Sequence, residues 1–191
     1  MPKYIALLIF SILFARAEFA VKSINELRNE NFVRQGYEES CGAASIANLV
    51  NFFSLRQIKE EDVLGFLNQK TDMLSFLELK NAAQKMGYES EGYILSRQEF
   101  ENLSLPVLVK VENDPRFPHF VVVINQKGDF VRILDPNFGS YIASRKEFFS
   151  IWDKDDKGGY TLIILPKDIS NFNPNLDKEL FSNFYLDRFK F

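Results

Sequence analysis

Apolar positions recur every three to four residues in three stretches, Cys41 to Phe53, Lys59 to Gln69 and Ser75 to Met86. That is the period of a helix with one buried face. The polar loop Gly36-Tyr37-Glu38-Glu39-Ser40 precedes the first stretch, and Gly87 stops the third. In the third, Phe76, Leu77, Leu79, Ala82, Ala83 and Met86 are the expected core face. The period then changes. Pro106 to Glu112, His119 to Asn125, Asp129 to Leu134 and Tyr160 to Leu165 are rich in Val, Ile and aromatic residues and read as strands. HFVVVIN and DFVRILD are separated only by Gln126-Lys127-Gly128, which predicts a hairpin. A short helix is expected between Ser144 and Trp152. Helices gathered ahead of an antiparallel sheet define an α+β domain.

The two ends follow other patterns. MPKYIALLIFSILFARA combines a basic Lys3, an apolar run from Tyr4 to Phe14 and the triplet Ala15-Arg16-Ala17, the anatomy of a secretory signal peptide. An uncleaved anchor is the competing reading, but the run falls short of the roughly 20 residues that span a bilayer. The expected organisation is therefore a signal peptide over 1–17, one domain over 18–167, and an amphipathic helical tail over 168–191 that docks back on it. No internal repeat or Gly/Ser linker divides the body.

Export to the periplasm or the extracellular space changes how charge and cysteine are read. Loss of Lys3 and Arg16 leaves 21 basic residues against 26 acidic ones, a net charge near −5, with no basic tract. Nucleic acid is excluded as a partner on that balance. A single cysteine, Cys41, cannot form an internal disulfide, so its thiol persists in an oxidising compartment. The 20 phenylalanines predict a core thick with aromatic rings.

Cys41 is either a packing residue or a nucleophile. Free cysteine is among the most buried residue types, which favours packing. Against that, Cys41 opens a helix behind a polar loop, where unsatisfied N–H groups and the helix dipole favour a thiolate. Gly42 and the small residues after it would let a substrate backbone approach. The Cys-Gly-Ala string alone leaves the two readings level.

A nucleophilic cysteine needs a base, and His119 is the one histidine. The predicted hairpin brings its two distant ends together: His119 starts the first strand, and Asp135 ends the second. An acceptor there can orient the imidazole. Taken singly, a lone histidine at a strand start and an Asp-Pro turn are ordinary surface features. Their meeting through one hairpin makes a Cys41, His119, Asp135 set. Gln35, six residues before Cys41, can add a side-chain amide to the Cys41 N–H as an oxyanion hole. Tyr37, Gly42 and Pro118 are the expected substrate-binding residues around it.

At these positions the sequence resembles the bacteriocin-processing peptidases, family thirty-nine of the papain-like cysteine peptidases, which remove double-glycine leader peptides. The resembling motifs are QGYEESCG from Gln35 to Gly42, HFVVV from His119, and Asp135-Pro136-Asn137-Phe138-Gly139. LELKNAAQKMGY, LPVLVKV and KEFFSIW agree further, and the likeness runs from about Asn31 to Leu165. It implies a papain-like fold in which Gln35 binds the oxyanion, Cys41 attacks, His119 moves protons and Asp135 orients His119. It also implies cleavage after a Gly-Gly pair, without a cofactor. Two departures stand out. Ser40 occupies the position before the nucleophile, where the family usually has Asp. No GxxxxGK[ST] motif or transmembrane bundle accompanies the domain, as it does in exporter-linked relatives. The form expected is a stand-alone exported peptidase acting on a peptide or protein, associated with an envelope secretion or surface-fibre system. The alternatives are a catalytically weak module that binds a leader peptide or secretion client, and an amidase or acyltransferase using the same residues.

One Cys and one His cannot supply the usual zinc sets, so no metal site is expected. Asp153-Lys154-Asp155-Asp156-Lys157-Gly158 fails as a calcium loop, with Lys157 at its fifth position and Ile164 at its twelfth. It reads as a solvated turn.

Overall fold

In chain order the elements are α1 (Ile24–Asn29), α2 (Cys41–Phe52), α3 (Glu60–Leu64), α4 (Phe76–Lys85), β1 (Tyr88–Leu95), α5 (Arg97–Glu101), β2 (Val107–Asp114), β3 (Phe117–Asn125), β4 (Phe130–Asp135), β5 (Gly139–Ser144), α6 (Arg145–Trp152) and β6 (Gly159–Pro166). The computed structural model describes residues 22–53, 57–67, 74–114, 117–125 and 128–167. The expected signal peptide and C-terminal tail lie outside the described residues. Among the described residues no helix is long and apolar enough to cross a membrane.

Four helices begin with the same device. Ser23, Ser75, Ser96 and Ser144 each accept the backbone N–H of a glutamate three residues on, and that glutamate's carboxyl returns to the serine N–H. This S-x-x-E box satisfies two of the donors that a helix start leaves open. It starts α1 and α5, which apolar periodicity does not reveal because six and five residues are too few to display a period.

The strands form one antiparallel sheet in the order β1-β6-β2-β3-β4-β5. The fold is α+β, as the sequence predicts. Helices cover both faces of the sheet. On one side Leu108, Phe120, Val122, Ile124, Leu134, Leu162 and Ile164 meet α2, α3 and α4. On the other, Val107, Val109, Val111, Val121, Val123, Val131 and Ile133 meet α5 and α6. A strand buried on both faces needs no polar alternation, which is why β3 reads as a continuous apolar run. Within the second layer Phe100, Phe148, Phe149 and Trp152 pack with ring centroids 4.9–6.0 Å apart. The aromatic core expected from composition is concentrated there.

Two sequence expectations change. Leu77 is 65% exposed. At about 100° per residue it stands roughly 160° round α4 from Leu79, away from the stripe of Phe76, Leu79, Ala82, Ala83 and Met86. The turn after α6 is solvated only over Lys154 to Lys157, because Asp153 is buried. Asp153 Oδ1 accepts the Lys157 and Gly158 N–H groups, both at 2.9 Å, and Arg97 Nε donates to Oδ2 at 3.0 Å. Arg97 Nη2 also donates to the Asp153 carbonyl at 2.6 Å. The pair thus ties α5 to the β6 turn. Asp153→Ala is expected to cost about 2 kcal/mol in chemical denaturation, since it strands two backbone donors and removes one of the contacts of Arg97. A change under about 0.5 kcal/mol would show that the turn holds itself.

Candidate active site

α2 delivers Cys41 as its first residue, and the thiol is buried. Beneath it the helix is tightly seated. A Cβ on Gly42 would lie 2.7 and 2.9 Å from the methyl carbons of Leu79, so the missing side chain serves the contact between α2 and α4. Ser45 Oγ donates to the Phe120 carbonyl at 2.9 Å and locks α2 to β3 beside His119.

The hairpin supplies the rest. β3 and β4 pair with Val122 opposite Leu134 and Val123 opposite Ile133. One step further puts Asp135 opposite Val121, diagonal to His119 on the same face. His119 Nε2 and Asp135 Oδ1 are 2.8 Å apart. The same Oδ1 accepts the N–H groups of Asn137 and Phe138 at 2.8 and 3.2 Å, so the Asp-Pro turn fixes the carboxylate before it meets the imidazole. Gly139 closes this turn at φ 87°, and a Cβ there would lie 2.9 Å from the Arg28 carbonyl of α1.

With Nε2 engaged by Asp135, Nδ1 is the ring nitrogen left over, and Cys41 is the other side chain that acts on the charge of the imidazole. Burial opposes charge on His119 most strongly, but hydrogen bonds to Asp135 and Cys41, and the attraction of both, outweigh it and raise its pKa to about 9. His119 therefore carries a proton at neutral pH, beside the thiol that is its partner. Tyr141, cross-strand from Ile133, is pushed up to about 12 by burial and by the Asp135 charge. An imidazolium held between a carboxylate and a thiol can stabilise a thiolate and hand its proton to a departing amine.

Gln35 lies against the Asp-Pro turn, in a segment pinned on several sides. Asn48 of α2 accepts the Val33 N–H at 2.8 Å and donates to the Val33 carbonyl at 2.7 Å. The Gln35 N–H donates to the Pro136 carbonyl at 3.1 Å, and Arg34 Nη2 donates to the Asn137 carbonyl at 2.5 Å. The segment before the loop is thereby clamped to the turn that holds Asp135. The Gln35 side-chain amide donates to the Tyr37 and Glu38 carbonyls at 3.1 and 3.2 Å, leaving its Oε1 buried without a partner among the described residues. In this state its donors are spent on the loop it belongs to.

Ser40 now has a structural account. Its Oγ donates to the Tyr37 carbonyl at 2.8 Å and accepts the Tyr37 N–H at 3.2 Å, closing the loop, and it places no side-chain cap on α2. Tyr37 itself is 62% exposed at the loop's tip. Pro118 precedes His119 in β3, and its side chain lies outside the described residues. Asn48 and Arg34 have no place in the sequence motifs. An amide among Ile46, Leu49 and Val50 on the buried side of α2 is the one signal that could have flagged Asn48.

The Peptidase C39 family matches this chain over residues 29–168. A probable functional amyloid protease, FapD, from Pseudomonas aeruginosa is 29% identical over 179 residues, covering 89% of this chain and 76% of its own. Its namesake from Pseudomonas fluorescens is 31% identical over 164 residues, covering 82% and 70%. Among solved structures, the peptidase domain of Streptococcus ComA, a bi-functional ABC transporter involved in quorum sensing, has a TM-score of 0.62 at 21% identity, covering 71% of this chain and 97% of that one. A double glycine motif protease from an AMS/PCAT transporter, solved with its leader peptide, has a TM-score of 0.59 at 26% identity, covering 71% and 90%.

Proposed function

This chain belongs to the Peptidase C39 family and is a cysteine peptidase, and from that premise we propose that Cys41, His119 and Asp135 cleave an exported peptide substrate after a Gly-Gly pair. The observation that carries the reading is the His119 ring held at 2.8 Å from Asp135, with the buried Cys41 as the other side chain that raises its pKa.

The steps follow from those contacts. The Cys41 thiolate attacks the scissile carbonyl carbon, and the carbonyl oxygen takes the negative charge. The Cys41 N–H and the Gln35 amide receive that charge once the amide turns from its loop carbonyls. His119 gives its proton to the leaving nitrogen, which breaks the C–N bond and leaves a thioester. Water then attacks the thioester, losing a proton to His119, and the thiolate departs as the carboxylate product forms. Asp135 keeps Nε2 engaged throughout, so that Nδ1 alone exchanges protons.

Support for a Gly-Gly site comes from the double glycine motif protease relative, and support for a fibre-associated substrate from the two FapD relatives. The N-terminal signal reading puts the substrate in the periplasm or outside the cell. The test is incubation of the purified chain with a synthetic peptide bearing Gly-Gly, its products identified by mass spectrometry. Cleavage after the second glycine is expected, falling on the order of 10²-fold when either glycine becomes alanine. Equal cleavage of the alanine peptides would remove the specificity. Capture of an added amine in place of water would point to acyl transfer, and tight peptide binding without any product would point to a binding module.

A further inference from the structure

We propose that Glu60 is a positioning residue of this site, holding through the Gly36 N–H the segment that carries Gln35. Glu60 is the first residue of α3, a position where a glutamate ordinarily faces water. Here it turns inward and is 3% exposed. Its Oε2 accepts the Gly36 N–H at 2.8 Å, and its Oε1 is closed off from solvent without a protein partner among the described residues. One neutral donor offsets only part of the cost of burying a carboxyl group, so for stability alone an apolar side chain would serve better. That cost is spent on the peptide unit next to Gln35.

The neighbouring contacts say what the bond controls. Asn48 fixes Val33 and the Pro136 carbonyl fixes the Gln35 N–H, both at or before Gln35 in the chain. Glu60 takes the next N–H along, on the loop side. Beyond it, Tyr37 to Ser40 close on one another through Ser40 Oγ, and the Gln35 amide is bonded to the carbonyls of that same loop. In the resting state the amide follows the loop, and the Gly36 peptide unit fixes the point from which it turns to the oxyanion. Glu60 is the side chain from outside the loop that bonds its first residue, Gly36. The approach is close: a Cβ on Gly36 would lie 3.0 Å from Oε2.

The role rests on the Cys41 mechanism proposed above, and the two are tested separately. With a cleavable Gly-Gly peptide, Glu60→Ala is expected to lower kcat by about 10- to 100-fold with KM within about twofold, as for a misplaced catalytic group. Glu60→Gln keeps a carbonyl oxygen for the Gly36 N–H and should restore kcat to within about threefold. Gln35→Ala should cost about 10²- to 10³-fold, and adding Glu60→Ala to it should cost nothing more. Multiplied losses in the double variant, or full kcat in Glu60→Ala, would overturn the assignment. If Glu60→Ala does not fold, Glu60→Asp, one methylene short of Gly36, takes its place in the cycle.

The second readout is binding of N-acetylglycinal, whose hemithioacetal with Cys41 needs the same oxyanion donors and no bond cleavage. Its Kd should rise about tenfold in Glu60→Ala. If the wild type forms this adduct but cuts no peptide, the peptidase reading falls while a weakened adduct in Glu60→Ala keeps Glu60 in its role. Equal Kd values overturn the Glu60 role alone, and no adduct in the wild type overturns both.

Discussion

Cys41→Ala is expected to reduce turnover of a Gly-Gly peptide by about 10⁴-fold or more, to the level that peptide binding alone supports. The reason is stoichiometric. Cys41 is the single thiol of the sequence, and without it no thioester can form, while His119 keeps only its Asp135 partner. Alanine also fits: the side chain is small, and α2 is held from below by Gly42 against Leu79 and by Ser45 on Phe120. The variant should therefore fold and bind peptide with an affinity close to that of the wild type. Turnover that survives the substitution would discard the mechanism.

The second large effect concerns charge at Asp135. Asp135→Ala removes the acceptor for His119 and for two turn N–H groups together, and should cost about 10³-fold in kcat/KM. Asp135→Asn is the sharper probe, because its carbonyl oxygen can keep those bonds while the negative charge is lost. In the wild type the alkaline limb of kcat/KM should fall near pH 9, where His119 gives up its proton. In Asp135→Asn that limb should move down by about one to two pH units. Stability should follow the same group. Folding raises the His119 pKa from 6.5 to about 9, so the contribution is complete below pH 6.5 and disappears as the pH rises through 9. It is at most about 3 kcal/mol. Denaturation curves taken at pH 7 and pH 10 measure it, and an alkaline limb and stability profile unmoved by Asp135→Asn would exclude Asp135 as the source of the raised pKa.

Much of this site was legible because its parts lie on strongly patterned elements. HFVVVIN and DFVRILD declare a hairpin whatever the rest of the chain does, and its far end must return beside its start. That one inference joins His119 to Asp135. β1 and β5 were not legible for the opposite reason. They are the two edges of the sheet: YESEGYIL alternates only over its first four residues before turning outward, and GSYIAS runs from buried to half-buried without alternation. α1 and α5 carried a readable start signal in their S-x-x-E boxes, which a search for periodicity passes over. Glu60 was invisible for a different reason. A glutamate at a helix start is ordinary in sequence, and only tertiary structure shows it turned from solvent toward Gly36. The state of Gln35 was equally hidden, since a count of six residues says that an amide can reach the site but not that it bonds its own loop first.

The serine that begins α2 behaves unlike the serines that begin α1, α4, α5 and α6. Those four spend their hydroxyls on finishing a helix, whereas Ser40 turns its hydroxyl back to Tyr37 and gives α2 no cap. The chain thus seals four helix starts with serine hydroxyls and withholds that seal from the serine at the nucleophile. On the proposed mechanism, the charge that would complete that end arrives with the substrate, for the lifetime of the tetrahedral intermediate. The resting enzyme is, in this sense, a fold with one terminus deliberately unfinished, and its transition state is the cap that its sequence withholds.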